Sequence, residues 1–462
     1  MSMTPLVLLL TALAGWALLP RRLDAGPIAG LSLGFLGATF FISVEMFVFD
    51  LFGIGWNRLA LLLPWVGALG WALYSRRDTI APPKLSWSNA NLIALSAVAG
   101  ILAIWLPYER TLPMTQHNWD AWAIWLFKAK AFYLDGEIGV YLSRVKEFIG
   151  QPGYPLLVPL YATFLYFWEG GVADHAAKLY SPVYWLALLG ALHYLVSRIA
   201  NATTACALTV SAALTPIVAV AAYHWAGYVE TALTAYFVVA AGFLYLWFRD
   251  GDATDLAVAS IAAAAAAWTK NEGQFFFAGF AALGLLKLLR ERRPWPQWVL
   301  LLAPATTIIV GWSAVRAFHQ IEAAGFSMGL SFEPSLFYIA AGTVVSKMFS
   351  PDLFNIAFYA WGLGLIAALR LRPNSAYWAL AGLVAWQLGG SVLAYSTGRN
   401  EIQWWLGTSA DRLISQVAPL ASLSLAPLFA RWCEIAPQNA PVEVVEPSPK
   451  KQGRSARKRR GR

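Results

Sequence analysis

Gln116-His117-Asn118-Trp119-Asp120-Ala121-Trp122-Ala123-Ile124-Trp125-Leu126-Phe127-Lys128-Ala129-Lys130 follows an apolar run that ends near Leu106. Three tryptophans surround one carboxylate, and two lysines stand a few residues on. Tryptophan gathers where a membrane meets water. A helix starting near Trp119 places Asp120, Ile124 and Lys128 on one face and Trp122, Trp125 and Ala129 on another. That pattern describes an amphipathic helix lying in the plane of a membrane interface, next to a spanning segment.

The rest of the chain agrees with a membrane setting. It is 58% hydrophobic and only 13% charged, about half the charge of a soluble domain at ~25%. Apolar runs recur near 4–20, 28–50, 58–75, 90–107, 178–197, 203–222, 231–248, 255–269, 274–290, 297–316, 352–369, 376–395 and 412–432. Backbone inside a bilayer must satisfy its own hydrogen bonds, and runs of ~20 apolar residues do so as helices. The expected fold is therefore all-α and polytopic, with about 13 transmembrane helices. A further run at 154–168 reads as a juxtamembrane or half-inserted helix.

Cationic turns set an alternation of sides. Arg21, Arg22, Arg76, Arg77, Lys84, Arg198, Arg249, Arg290, Arg292, Arg293, Arg370, Arg372 and Arg431 fall on one side, which the positive-inside tendency makes cytoplasmic. The opposite, extracytoplasmic side then holds the 108–176 loop, the turns at 223–230, 270–273 and 396–412, and the 317–351 loop. Residues 1–435 form the membrane domain, with extra N-terminal spans over 1–88. Residues 436–462 read as a disordered basic cytoplasmic tail, since a Pro-rich acidic stretch precedes a run of Lys and Arg.

Most of the unusual polar residues fall on the extracytoplasmic side. Asp120 is either a helix-capping charge or a reactive carboxylate. In Trp268-Thr269-Lys270-Asn271-Glu272-Gly273, a lysine and a glutamate share a short turn between two spans. They either close that turn as a pair or meet a ligand. Arg399 and Arg412 flank Trp404 and Trp405; Arg412 either snorkels beside Asp411 or offers its fork to an anion. Glu230 enters the membrane at a helix N-terminus, where negative charge is tolerated, and His224 is a nearby polar candidate. Gln151-Pro152-Gly153-Tyr154-Pro155 fixes the chain's return toward the membrane. There is no Walker P-loop, metalloprotease motif, nucleophile elbow or cysteine pair suited to zinc. Cys206 and Cys433 stand alone. Neither nucleotide nor nucleic acid is an expected partner.

This order of motifs resembles the GT-C superfamily of polyprenyl-phosphate-sugar glycosyltransferases, in particular bacterial glycosyltransferase family 39, the relatives of protein O-mannosyltransferases and aminoarabinose transferases. The likeness runs over about residues 90–432 and rests on four features. They are an acidic residue in an outer loop after a span (Asp120), a Pro-containing juxtamembrane segment (Tyr154-Pro155-Leu156), a Lys at an outer helix junction (Lys270-Asn271-Glu272-Gly273) and a late Arg leading into an apolar helix (Arg412 through Pro419). The three extra N-terminal spans and the absence of an Asp-Glu pair depart from that pattern and leave the acceptor class open.

The resemblance implies transfer of a sugar from a polyprenyl-phosphate donor to an acceptor hydroxyl on a glycan, lipid or protein outside the plasma membrane. Asp120 would be the general base. Lys270 and Arg412, with Lys128 and Lys130 behind them, would hold the donor phosphate. Trp122, Trp125, Tyr154, Glu230, Glu272 and Arg399 would line the substrate site. No cofactor is demanded; a divalent metal stays open because no ligand cluster fixes one. The readings from other classes are a transporter or flippase of lipid-linked sugars, and a non-catalytic envelope-assembly subunit.

Overall fold

The computed structural model describes residues 2–23, 26–76, 98, 119–144, 150–223, 225–321, 332–398 and 401–435. The expected span at 90–107, His224, Arg399 and the basic tail lie outside the described residues, residue 98 excepted. Within them every regular element is helical. The first six helices are α1 (Thr4–Leu18), α2 (Pro27–Leu51), α3 (Arg58–Arg76), α4 (Leu126–Asp135), α5 (Gly139–Ser143) and α6 (Leu157–Glu169). Then come α7 (Asp174–Ala177), α8 (Tyr180–Ile199), α9 (Ala202–Ala213), α10 (Pro216–Tyr223), α11 (Glu230–Asp250), α12 (Ala253–Thr269) and α13 (Asn271–Arg290). The chain continues with α14 (Trp295–Phe318), α15 (Pro334–Met348), α16 (Pro351–Phe354), α17 (Ala357–Leu371), α18 (Ser375–Thr397), α19 (Ile402–Ser415) and α20 (Ala418–Ile435).

Seven helical stretches among the described residues are long and apolar enough to cross a membrane: α2, α7 with α8, α11, α13, α14, α18, and α19 with α20. Five shorter apolar helices, in α1, α3, α9, α12 and α17, accompany them. The protein is thus a polytopic helical chain of membrane character.

The core is built around α11. Over its most apolar 18 residues 94% are buried, against 17% for α14. A helix apolar on all faces belongs at the centre of such a bundle. α8, α12 and α18 pack around it, and α2 covers α8. α12 comes close because its face is a run of alanines, Ala262 to Ala267, all buried; small residues let helix backbones approach. Glu230 in the first turn of α11 and Arg249 in its last complement the helix dipole. Gly251 ends it in a left-handed conformation, and Asp252 caps α12 by accepting from the Thr254 amide at 2.7 Å. α11 and α12 therefore form an antiparallel hairpin whose open end carries Glu230 and Lys270.

Three expected runs have a different form. The run at 203–222 divides into α9 and α10 at Thr215, because Pro216 cannot continue the α9 ladder. The run at 352–369 breaks at Asn355, whose φ of 52° stops α16. The run at 412–432 starts earlier: Glu401 caps α19 by accepting from the Gln403 and Trp404 amides, so Arg412 lies in the last turn of α19 rather than at the head of a span. Asn201 is the N-cap of α9, its side chain accepting from the Thr204 amide at 2.9 Å.

Candidate functional site

The site begins at the break between α12 and α13. Lys270 is the one extended residue between them, with φ −159° and ψ 161°. Gly273 lets α13 turn back hard against α12: a Cβ there would stand 1.8 Å from the Ala266 carbonyl oxygen. Lys270 Nζ lies 2.9 Å from Glu272 Oε1 and 3.2 Å from Glu230 Oε1. Glu230 is the first residue of α11 and only 1% exposed. From α18, Gln387 donates its side-chain amide to the Glu272 carbonyl at 3.4 Å.

Asp120 reaches the same place from the other side of the sequence. Gly227 has φ +96°, a conformation that favours glycine, and a Cβ on it would meet the Ala121 Cβ at 2.7 Å. Its amide donates to Ser181 Oγ at 3.0 Å. The segment before α4 therefore docks on the turn before α11, and the Asp120 amide donates to the Tyr228 hydroxyl at 3.4 Å. Asp120 precedes a π-helical turn over Ala121–Trp125 but makes no side-chain capping bond. Its carboxylate instead accepts from Arg412 Nη1. The capping alternative is not what this side chain does.

Arg412 arrives from α19 and completes the cluster. Its Nη1 also lies 3.6 Å from Glu230 Oε1, and its guanidinium stands 5.3 Å from the centre of the Tyr228 ring. Asp411 is not its partner: that carboxylate pairs with Lys347 of α15 at 2.6 Å. The Tyr395 hydroxyl and Ser409 Oγ, 2.7 Å apart, join α18 to the same turn of α19. Five ionisable residues that span positions 120 to 412 thus meet: three carboxylates and two cations. Asp120 is the most exposed of them at 23%, against 17% for Arg412 and 1% for Glu230, so it lies nearest the surface of the cluster.

The surroundings control protonation. Burial alone would push Lys270 down, but Glu230 and Glu272 outweigh it and hold the ammonium above its ordinary range. Burial, followed by the nearby Asp120 charge, pushes the Tyr228 hydroxyl up to about 12. Tyr154 is likewise pushed up by burial, and it feels the charges of Lys270, Glu272, Asp120 and Arg412. Both phenols stay neutral donors facing the cluster.

The remaining expected residues stand apart. Lys128 is fully buried, donates to the Tyr154 carbonyl at 3.4 Å, and lies 5.6 and 5.8 Å from the Trp125 and Tyr154 ring centres. It sits behind Tyr154, and burial without a counter-charge pushes it down to about 7. Lys130 pairs with Asp174 at 3.3 Å. Trp122 and Trp125 do not share a face, because the wider π-helical turn rotates one against the other. Trp122 is 42% exposed beside Trp119, whereas Trp125 is 1% exposed and packs on Tyr154. Among the described residues no three His, Cys, Asp or Glu side chains are grouped to hold a metal ion.

Tyr228, Gln387 and Lys347 were not singled out from the sequence. Gln387, a polar residue within an apolar run, carried a usable signal; Tyr228 and Lys347 carried none beyond proximity to motifs. The chain matches no protein-family model, no curated protein and no solved structure.

Proposed function

We propose that the chain is a membrane glycosyltransferase. It moves a sugar from a polyprenyl-phosphate donor to an acceptor hydroxyl at the extracytoplasmic face of the plasma membrane. The observation that carries this reading is the meeting of Asp120 with Arg412 and, through Glu230, with Lys270. A carboxylate able to take a proton stands beside two cations able to take a leaving phosphate, at the outermost point of a buried polar cluster.

The chemistry needs no nucleotide, because a lipid phosphate already leaves readily. Asp120 accepts the proton of the acceptor hydroxyl. The acceptor oxygen attacks the anomeric carbon, and the bond from that carbon to the phosphate oxygen breaks. The electron pair departs with the phosphate, where Lys270 and the Arg412 fork stabilise it. When the phosphate takes the Arg412 fork, it frees the Asp120 oxygens for the proton. A single displacement inverts the anomeric centre, so one carboxylate suffices. Tyr154 and Tyr228 supply neutral hydroxyls to the same space.

Deletion of the gene is the first test. A polyprenyl-phosphate sugar should accumulate, and one envelope glycan or lipid should lose a residue. Wild-type chain should restore it and Asp120→Asn should not. Restoration by Asp120→Asn removes the proposed base. Sidedness is tested by labelling Val140→Cys in intact cells with a membrane-impermeant thiol reagent: labelling is expected, and protection places the site on the wrong face for this donor.

A further inference from the structure

The charge balance of the cluster is unusual for an anion site. Lys270 is already faced by two carboxylates, at 2.9 and 3.2 Å, and Arg412 by two more contacts, from Asp120 and from Glu230 at 3.6 Å. The same oxygen, Glu230 Oε1, serves both cations. Three carboxylates thus stand against two cations before any ligand arrives. The second oxygens, Glu230 Oε2 and Glu272 Oε2, are buried without a donor from the protein. A cluster built only to hold an anion would leave its cations free. One built only for stability would rarely leave two buried carboxylate oxygens of one cluster without a donor; Glu45 Oε1, another such oxygen, stands alone in α2.

The other groups facing these carboxylates change little. Tyr180 and Tyr228 face Glu230, and Tyr154 and Tyr395 face Glu272. The phenols Tyr154 and Tyr228, outside the spans, are pushed up and remain neutral. The excess negative charge is therefore set by the carboxylates themselves.

We infer that Glu230 and Glu272 are counter-charges that let the site accept a phosphodiester but reject a phosphomonoester. This rests on the proposed donor and adds a direction to it. The donor, a sugar phosphodiester, carries one negative charge. The lipid product is a phosphomonoester with about 1.5 to 2 negative charges near neutral pH. Transfer thus creates extra charge beside two buried carboxylates that compete for the same cations. The like-charge repulsion falls on the product and speeds its release, which matters because release limits many enzymes.

The test uses the full-length protein in detergent micelles and two probes, undecaprenyl phosphate and its methyl phosphodiester, with neutral undecaprenol as control. At pH 8 wild type should bind the diester about tenfold more tightly than the monoester. That preference should shrink at pH 5.5, where the monoester sheds charge. Glu230→Gln should bind the monoester about tenfold more tightly than wild type and the diester within about twofold. Glu272→Gln is the second variant, with the same direction and a smaller gain. A wild type that prefers the monoester at pH 8, or an unchanged preference in both variants, overturns the counter-charge role while leaving the donor reading intact. Wild type that binds neither probe above undecaprenol overturns the donor reading and this inference together. A loss of folding is told apart by weakening both probes, whereas the unchanged preference that overturns the role comes with diester affinity at the wild-type level.

Discussion

The two ends of the α11–α12 hairpin carry charge in opposite ways. At the closed end the pairs are local or one to one. Arg249 bonds its neighbour Asp250 at 2.7 and 2.8 Å, and Arg198 forks onto Asp255 at 3.0 and 3.3 Å. Glu291 is shared by Lys287 and by Arg293 at 2.7 Å, and Asp252 spends its carboxylate on a helix cap. At the open end Asp120, Glu230, Lys270, Glu272 and Arg412 come from four separate parts of the chain and are mostly deeper. Their carboxylates outnumber their cations, and two buried oxygens have no donor. Buried charge without full compensation is costly. The closed end has the pattern that stability alone would select; the open end has the excess charge that the proposed donor site would use.

The largest contrast should come from removing one carboxylate oxygen at each end. Asp120→Asn should lower sugar transfer by about 10²–10⁴-fold, the usual worth of a general base. Its stability should fall by about 1–3 kcal/mol, the worth of one charged hydrogen bond, since the pair is only 23% and 17% exposed. Asp255→Asn should lower stability by a similar amount, about 1–3 kcal/mol, but leave turnover unchanged. Turnover and thermal melts on the two purified variants decide it. If both variants lose stability and neither loses turnover, the two ends are equivalent and the comparison collapses.

Arginine geometry gives the next effect. Arg412 serves Asp120 and Glu230 with one guanidinium, and lysine cannot hold that planar arrangement. Arg412→Lys should cost roughly 10–100-fold in turnover, the equivalent of a charged hydrogen bond worth ~1.5–3 kcal/mol. Lys270→Ala combined with Arg412→Ala should fall well short of the product of the single losses, because both act through Glu230. Normal turnover in the lysine variant would return Arg412 to the snorkelling role.

Much of this was legible in the sequence, and the illegible part has a physical cause. Composition and apolar runs suffice for an all-helical membrane chain, since backbone in a bilayer has few alternatives. Asp120, Lys270, Glu230, Glu272 and Arg412 stand out because each is a charge beside an apolar run. Their partners do not: the Lys270–Glu272 pair is local and readable, but Arg412 with Asp120 is a contact across 292 positions. Helix phase was also hidden. The π-helical turn at Ala121–Trp125 separates Trp122 from Trp125, and no local residue announces it. Pro216 could have divided 203–222, whereas Asn355 gives no such warning before its positive φ.

A subtler way to sharpen the contrast is to move the base without changing any charge. Gly227→Ala adds a methyl that would stand 2.7 Å from the Ala121 Cβ and strains a φ of +96°. The left-handed conformation alone costs a residue with a Cβ about 1–2 kcal/mol. Asp120 should shift away from Tyr228 and Arg412, and turnover should fall by about tenfold or more, because small misplacements are expensive in catalysis. Gly251→Ala, at the closed end, is also strained by its φ of +73° but lies among the structural pairs. It should lower the melting temperature by a similar amount and leave turnover per folded molecule unchanged. Equal losses of turnover in the two variants would show that backbone strain, not the position of Asp120, is being read.

The last contrast concerns Lys128 and is read against pH. Lys128 is fully buried, has no carboxylate partner among the described residues, and is pushed down to about 7 by burial. Its ordinary value is 10.5. Between those values the unfolded chain holds a proton that the folded chain has released. Stability therefore rises with pH across that window, and the full cost of burying the charge is present below its lower edge. Lys128→Met keeps the length and the contact with Trp125 and Tyr154 but has nothing to ionise. Below pH 7 it should melt higher than wild type, and the gap should narrow steadily as pH rises toward 10.5. Arg198, whose fork is matched by Asp255, gives no such trend on the alkaline side. A gap for Lys128→Met that is constant from pH 6 to 10 would mean that the lysine keeps its proton in the fold. A counter-charge must then face it, and the separation between an unpaired lysine behind Tyr154 and the charged cluster in front of it would disappear.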